Sequence, residues 1–227
     1  MTTTSAPERR RRLRGLYAIT PETADPAKLE RLARAALAGG ARLLQYRAKR
    51  LAPHLRLAQA RALLAACREA GVPFIVNDDL ELALAVGADG LHLGRDDGDP
   101  RAARQRLPGA ILGVSCYADP DRAVAAARDG ADYVGIGSVF DSPTKPGAPR
   151  SGLAAIAEAR RRSGLPVAAI GGISAANGAQ AVAAGADMLA VISALFDAPD
   201  VTAAARALSR PFDTEDDPHV RTQPAAL

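Results

Sequence analysis

The chain has 227 residues, 48% hydrophobic and 24% charged, with a formal net charge of +4. That length suits one large α/β barrel or two small domains around a substantial core. No run of about 18 apolar residues occurs, which excludes a membrane-spanning helix. The two cysteines, Cys67 and Cys116, form no CxxC pair and support neither a disulfide scaffold nor a zinc site.

Arg9, Arg10, Arg11, Arg12 and Arg14 against Glu8 give +4 within residues 1–14, so residues 15–227 are neutral overall. Residues 1–14 therefore read as a disordered basic tail, without the apolar region of a secretory signal. A cytoplasmic protein is expected. Aromatics are 4% and Trp is absent, so the fold has neither a basic stripe nor stacking platforms, and no nucleic-acid partner is expected.

LYAIT at 16–20 is the first apolar run. One phrase then recurs seven times: an alanine-rich helical stretch, a Gly followed by a small or apolar residue, and a short apolar run. Gly40 leads into LLQYR, Gly71 into PFIVND, Gly87-Ala88-Asp89 into GLHLG and Gly109 into ILGVS. Gly130-Ala131-Asp132 leads into YVGIG, Gly164 into PVAAIGG and Gly185-Ala186-Asp187 into MLAVIS. Gly supplies the left-handed residue that ends a helix. Apolar runs without polar alternation read as strands buried on both faces. The helical stretches are 28–38, 55–70, 80–86, 100–106, 119–128, 151–162, 175–184 and 199–209. Eight strands alternating with eight helices predict an α/β fold, a single (β/α)8 barrel over 15–210. A doubly wound open sheet competes, but no GxGxxG follows the first strand. Residues 211–227 carry acids and prolines and read as a disordered tail.

Such barrels place chemistry at the C-terminal ends of their strands. Gln45, Arg47 and Lys49 recur at spacing two after the second run, which on a strand puts them on one side and suits a diphosphate. Asp78 and Asp97 follow neighbouring runs, and carboxylates beside phosphate-binding cations suggest Mg²⁺. Asp79 and Asp96 read as loop or cap residues. Gly171-Gly172 and Ile192-Ser193 follow the last two runs, where many barrels bind a phosphomonoester through backbone N–H groups. His92 lies inside the fourth run and reads as structural, and Cys116 has no His at a comparable strand end to activate it. A site with cations, metal ligands and phosphate cradles but no nucleophile–base pair suits electrostatically assisted departure of pyrophosphate.

QYRAK at 45–49, VNDD at 76–79, HLGRDD at 92–97, GVS at 113–115, SPTK at 142–145, IGGI at 170–173 and VIS at 191–193 resemble the thiamine-phosphate synthase family, in that family's order. The resemblance implies a transferase that joins 4-amino-2-methyl-5-(diphosphooxymethyl)pyrimidine to 4-methyl-5-(2-phosphoethyl)thiazole, or its 2-carboxy form. The products would be thiamine phosphate and pyrophosphate, and the step would be Mg²⁺-dependent and dissociative. It implies that Gln45, Tyr46, Arg47, Ala48, Lys49 and Asn77 hold the pyrimidine diphosphate and that Ser115 contacts the pyrimidine substrate. Asp78 and Asp97 would bind Mg²⁺, and Lys145 would stabilise the leaving pyrophosphate. Lys145, Arg47 and Ser115 are the candidate catalytic residues. Ser142, Pro143 and Thr144 would contact the thiazole, and Gly172, Ile192 and Ser193 its phosphate. The partners implied are phosphorylated small molecules, and a homo-oligomer is compatible with the reading.

Three positions depart from the family pattern: Ser142 stands where Thr is common, Asp141 where Pro is common, and Tyr117 where His is common. A thiazole tautomerase branch uses a His near position 117 and loses the Asn-Asp pair that Asn77-Asp78 keep, so it is the alternative this chain fits less well. A non-catalytic phosphate-binding barrel is the other.

Overall fold

Strands buried on both faces must be covered on both, and here the sheet closes on itself inside a jacket of helices. The computed structural model describes residues 5–141 and 151–213. Its strands are β1 (Gly15–Ile19), β2 (Ala41–Tyr46), β3 (Phe74–Asn77), β4 (Gly90–Leu93), β5 (Ile111–Tyr117), β6 (Tyr133–Ile136), β7 (Val167–Ile170) and β8 (Met188–Val191). They form one closed parallel barrel in sequence order, with β1 paired to β8. Closure rules out the open doubly wound sheet.

The helices are α1 (Ala6–Arg11), α2 (Pro26–Ala38), α3 (Pro53–Ala70), α4 (Leu80–Val86), α5 (Pro100–Arg106) and α6 (Pro120–Arg128). They continue with α7 (Gly152–Ser163), α8 (Gly178–Ala183), α9 (Ser193–Phe196) and α10 (Val201–Ser209), and a 3₁₀ turn at Arg210–Phe212. Three helices start with Asp-Pro. Asp25, Asp99 and Asp119 accept a first-turn N–H while the proline fills the first helical position, where no donor is needed. The short α9 lies between the last barrel strand and α10, outside the helical stretches expected from the sequence.

Two apolar layers result. The larger lies between strands and helices and is rich in Leu and Ala. The smaller fills the barrel itself and includes Tyr17, Ile19, Leu43, Ile75, Tyr133, Met188 and Ala190. Spacing of two along the strands selects these interior residues.

The repeated Gly-Ala-Asp phrase has a purpose that periodicity alone does not show. Asp89, which precedes β4, accepts the N–H of Phe74 at the start of β3 at 2.9 Å. Asp132, ahead of β6, accepts from Leu112 N–H in β5 at 3.0 Å. Asp187, ahead of β8, accepts from Val167 N–H in β7 at 2.9 Å. Each aspartate clasps its strand to the preceding one at the barrel floor, away from the strand ends that carry the candidate site.

The floor also corrects, over residues 5–14, the reading of residues 1–14 as a disordered tail; residues 1–4 lie outside the described residues. Residues 6–11 form α1, and Leu13 is buried among the barrel-interior residues. Asp132 is fully buried and draws the arginines in: Arg9 Nη2 lies 3.1 Å away, Arg104 Nη2 2.6 Å, and Arg10 donates to Ala131 O at 3.0 Å. A buried carboxylate needs such partners. The apolar anchor Leu13 is easily overlooked because it is single and flanked by arginines. At the other end Phe212 is buried, so the ordered fold runs past residue 210. The acidic stretch read as a disordered tail falls, from residue 214 onward, outside the described residues.

Candidate active site

The strand ends supply a polar mouth. β2 stops at Tyr46, because Thr20 Oγ1 takes the next N–H, that of Arg47, at 3.0 Å. Gln45, Arg47 and Lys49 are therefore not three residues of one strand face, as their spacing suggested. Gln45 is buried and donates its side-chain amide to Tyr17 Oη at 2.7 Å, whereas Arg47 and Lys49 belong to the loop. Tyr46 turns outward to Gln59, with its hydroxyl donating at 2.8 Å. Burial pushes that phenol up to about 12, so it stays neutral.

Lys49 swings across to Asp78, with Nζ 2.7 Å from Oδ2. Asp78 has φ of 64°, a left-handed conformation that Asp tolerates better than most residues, and its N–H donates to His92 O at 2.8 Å. That turn brings its carboxyl to Asp97. Burial holds the Asp97 carboxyl above its ordinary range, and the hydrogen bond to Asp78 and that residue's charge add to the effect. Lys49 and the Gly94 N–H, which reaches Asp97 Oδ2 at 3.1 Å, oppose it. Asp78 and Asp97, which follow neighbouring strands, are thus brought together beside Lys49. Asp79 caps α4 and pairs with Arg56 at 2.8 Å.

Ser115 on β5 hydrogen-bonds His92 Nε2 at 2.8 Å. Burial pushes His92 down to about 4, so the ring is neutral near pH 7. Arg122, which the sequence did not single out, donates to Ser115 O at 2.7 Å and Gly94 O at 3.2 Å, tying the ends of β4 and β5 together. No local pattern marks it, since it sits in the first turn of an alanine-rich helix, away from the strand ends in sequence. Tyr117 is 39% exposed and carries the Arg95 guanidinium 4.6 Å above its ring. Cys116 is buried and its thiol is pushed up to about 12, which removes it as a nucleophile.

After β7, Gly171 and Gly172 adopt φ of 95° and 65°, and a Cβ at Gly172 would stand 2.2 Å from Asp141 O. Only glycine lets this turn pass beneath the segment after β6, where Phe140 N–H donates to Gly171 O at 3.0 Å. Asn177 fastens it through Gly172 O at 2.8 Å. Ile192 leads directly into α9, whose first residue is Ser193. The turn and the start of α9 follow adjacent strands. Ser142, Pro143, Thr144 and Lys145 lie outside the described residues.

Among the described residues, no group of three or more His, Cys, Asp or Glu could hold a metal. No helix there is long and apolar enough to cross a membrane.

Residues 16–195 match the family model described as thiamine monophosphate synthase. A thiamine-phosphate synthase of Aromatoleum aromaticum is 57% identical over 203 residues, covering 89% of this chain and 98% of the relative. One from Bordetella avium is 52% identical over 208 residues, covering 89% and 96%. Among solved structures, a thiamine phosphate pyrophosphorylase from Pyrococcus furiosus superposes with a TM-score of 0.79 at 34% identity, covering 88% of this chain and 96% of that one. A family match over nearly the whole barrel, joined to relatives above half identity and to this strand-end geometry, has one reading: the chain belongs to the thiamine monophosphate synthase family.

Proposed function

We propose that this transferase condenses the aminopyrimidine methyl diphosphate with the thiazole phosphate to thiamine phosphate and pyrophosphate, or with its 2-carboxy form, which also loses its carboxyl group as carbon dioxide. The C–O bond to the diphosphate breaks with its electron pair going to the leaving oxygen. The thiazole nitrogen then supplies the pair for the new C–N bond to the exocyclic methylene.

The observation that carries the reading is the Asp78–Asp97 pair with Lys49 against it. Two carboxylates brought together, one of them held above its ordinary range, leave an excess of negative charge that the single Lys49 ammonium does not balance. They are the residues that would hold Mg²⁺, with substrate phosphates and water completing the shell. The ion, when bound, supplies positive charge to the departing diphosphate. Around it, Arg47, Lys49 and Ala48 in the QYRAK segment, with Gln45 and Asn77, cradle the pyrimidine diphosphate, and Tyr46 serves there through its backbone, since its side chain turns outward to Gln59. Ser115 contacts the pyrimidine substrate. Lys145 stabilises the charge on the leaving group, and Ser142, Pro143 and Thr144 are assigned to the thiazole. Backbone N–H groups at Gly172, Ile192 and Ser193 receive its phosphate. A bond that breaks before the new one forms needs no strong base, in keeping with a neutral His92 and an inert Cys116. Substrates that are all phosphate esters suit an enzyme working in the cytoplasm.

Incubation with both phosphorylated substrates and Mg²⁺ is expected to release pyrophosphate in step with thiamine phosphate. Binding of both by calorimetry with no pyrophosphate released would instead leave a ligand-binding barrel.

A further inference from the structure

A continuous file of hydrogen bonds crosses the barrel interior below the mouth. Gln45 Nε2 lies 2.7 Å from Tyr17 Oη, and Tyr17 Oη lies 2.6 Å from Tyr133 Oη. Tyr133 Oη lies 2.9 Å from His92 Nδ1, and His92 Nε2 lies 2.8 Å from Ser115 Oγ. Five residues from β1, β2, β4, β5 and β6 thus join two groups assigned to the pyrimidine substrate. Tyr17 and Tyr133 are at most 1% exposed, and burial keeps both phenols protonated.

Proton counting gives the file a direction. The Gln45 amide nitrogen can only donate, so Tyr17 Oη accepts from it. The single Tyr17 proton then has Tyr133 Oη as its acceptor. Were Tyr133 to donate to Tyr17 instead, the Tyr17 proton would be buried with no acceptor, an arrangement that costs a full desolvation penalty. Tyr133 therefore donates onward to His92 Nδ1. With Nδ1 accepting, the neutral ring carries its proton on Nε2 and donates to Ser115 Oγ. The serine's own proton is left for another acceptor.

We propose that Tyr17, Tyr133 and His92 are positioning residues that fix the His92 tautomer and so present Ser115 as a hydrogen-bond donor to the pyrimidine substrate. The proposal rests on the assignment of Ser115 to that substrate. Packing holds the file rigid. The Tyr133 ring stacks on His92 with centroids 5.5 Å apart and meets Tyr17 edge-on at 5.8 Å. Gly113 leaves room for the phenol, since a Cβ there would stand 2.1 Å from Tyr133 Cζ.

Tyr133→Phe keeps the ring and deletes the link. It is expected to lower kcat/KM for the pyrimidine diphosphate about tenfold, the scale of one hydrogen bond in a preorganised site, with KM for thiazole phosphate unchanged. Ser115→Ala is expected to lose at least as much, and the double variant no more than Ser115→Ala alone, because the file acts only through that hydroxyl. Nitrogen NMR of His92 is expected to show the Nε2–H tautomer in the wild type and a mixture in Tyr133→Phe. Full kcat/KM in Tyr133→Phe beside an impaired Ser115→Ala, or multiplying losses in the double variant, would overturn the positioning role. A silent Ser115→Ala would overturn it through the substrate assignment beneath. Should Tyr133→Phe fail to fold, the wild-type spectrum still decides, since an Nδ1–H tautomer contradicts the direction of the file.

Discussion

Asp97→Asn is expected to lower turnover about 100-fold, the scale of a few kcal/mol of lost charge stabilisation at a leaving diphosphate. The substitution keeps size and the ability to accept from Gly94 N–H, and removes the charge that a hard cation requires. Part of the loss is expected to return at high Mg²⁺. Asp78→Asn should behave alike, and the double variant should fall well short of the product of the two effects, because both carboxylates serve one ion. Thermal stability should hold or rise. A carboxyl whose folded pKa is raised carries its charge at a cost to the folded state, so stability falls as pH climbs through its range, and the amide escapes that cost. Steady-state rates across a Mg²⁺ series, with melting curves in parallel, check both halves. Full wild-type activity in excess EDTA, or independent multiplicative effects, would remove the metal from the mechanism.

Asp132→Ala is expected to cost about 3–5 kcal/mol of stability, the penalty for leaving buried cations without their counter-ion. In a chain of this size that lowers Tm by about 10 °C. Asp132 is completely buried, and Arg104, 18% exposed at its side chain, loses its carboxylate partner at 2.6 Å. The β5 clasp through Leu112 N–H goes with it. Removing residues 1–13 should also destabilise, since Arg9, Arg10 and Leu13 leave the floor together. Combined with Asp132→Ala, the truncation should cost less than the sum, because the two share one ion-pair network. Catalysis below the melting range should survive both, because the floor lies across the barrel from the strand ends. Calorimetric scans of the three variants test this, and an Asp132→Ala protein melting within a degree of wild type would show that the network contributes nothing.

The architecture was legible because repeated Gly endings and unbroken apolar runs are local signals, and each places a strand independently of the others. The convergence of Asp78 and Asp97 was legible for the same reason, since neighbouring strands must end side by side. What escaped was long-range. Tyr17 and Tyr133 read as ordinary members of apolar runs, and nothing local shows that their hydroxyls meet across the barrel. The pairing of Lys49 with Asp78 depends on where β2 stops, and a Thr20 hydroxyl decides that from just past the end of β1. Arg9 looked like solvated charge because its partner is 123 residues away. The Asp of Gly-Ala-Asp looked like part of a helix stop, yet its side chain reaches back one strand.

Those three clasps also divide the barrel. Each joins β3 to β4, β5 to β6 or β7 to β8, and none spans β4 to β5 or β6 to β7. From β3 onward the chain is thus written in two-strand cassettes, each closed by its own carboxylate. A recombination junction in the connection between β4 and β5 leaves every clasp with both halves from one parent. A junction between β5 and β6 asks an aspartate from one parent to seat on the other parent's backbone. Segment exchange among relatives of this barrel should therefore respect an even count of strands.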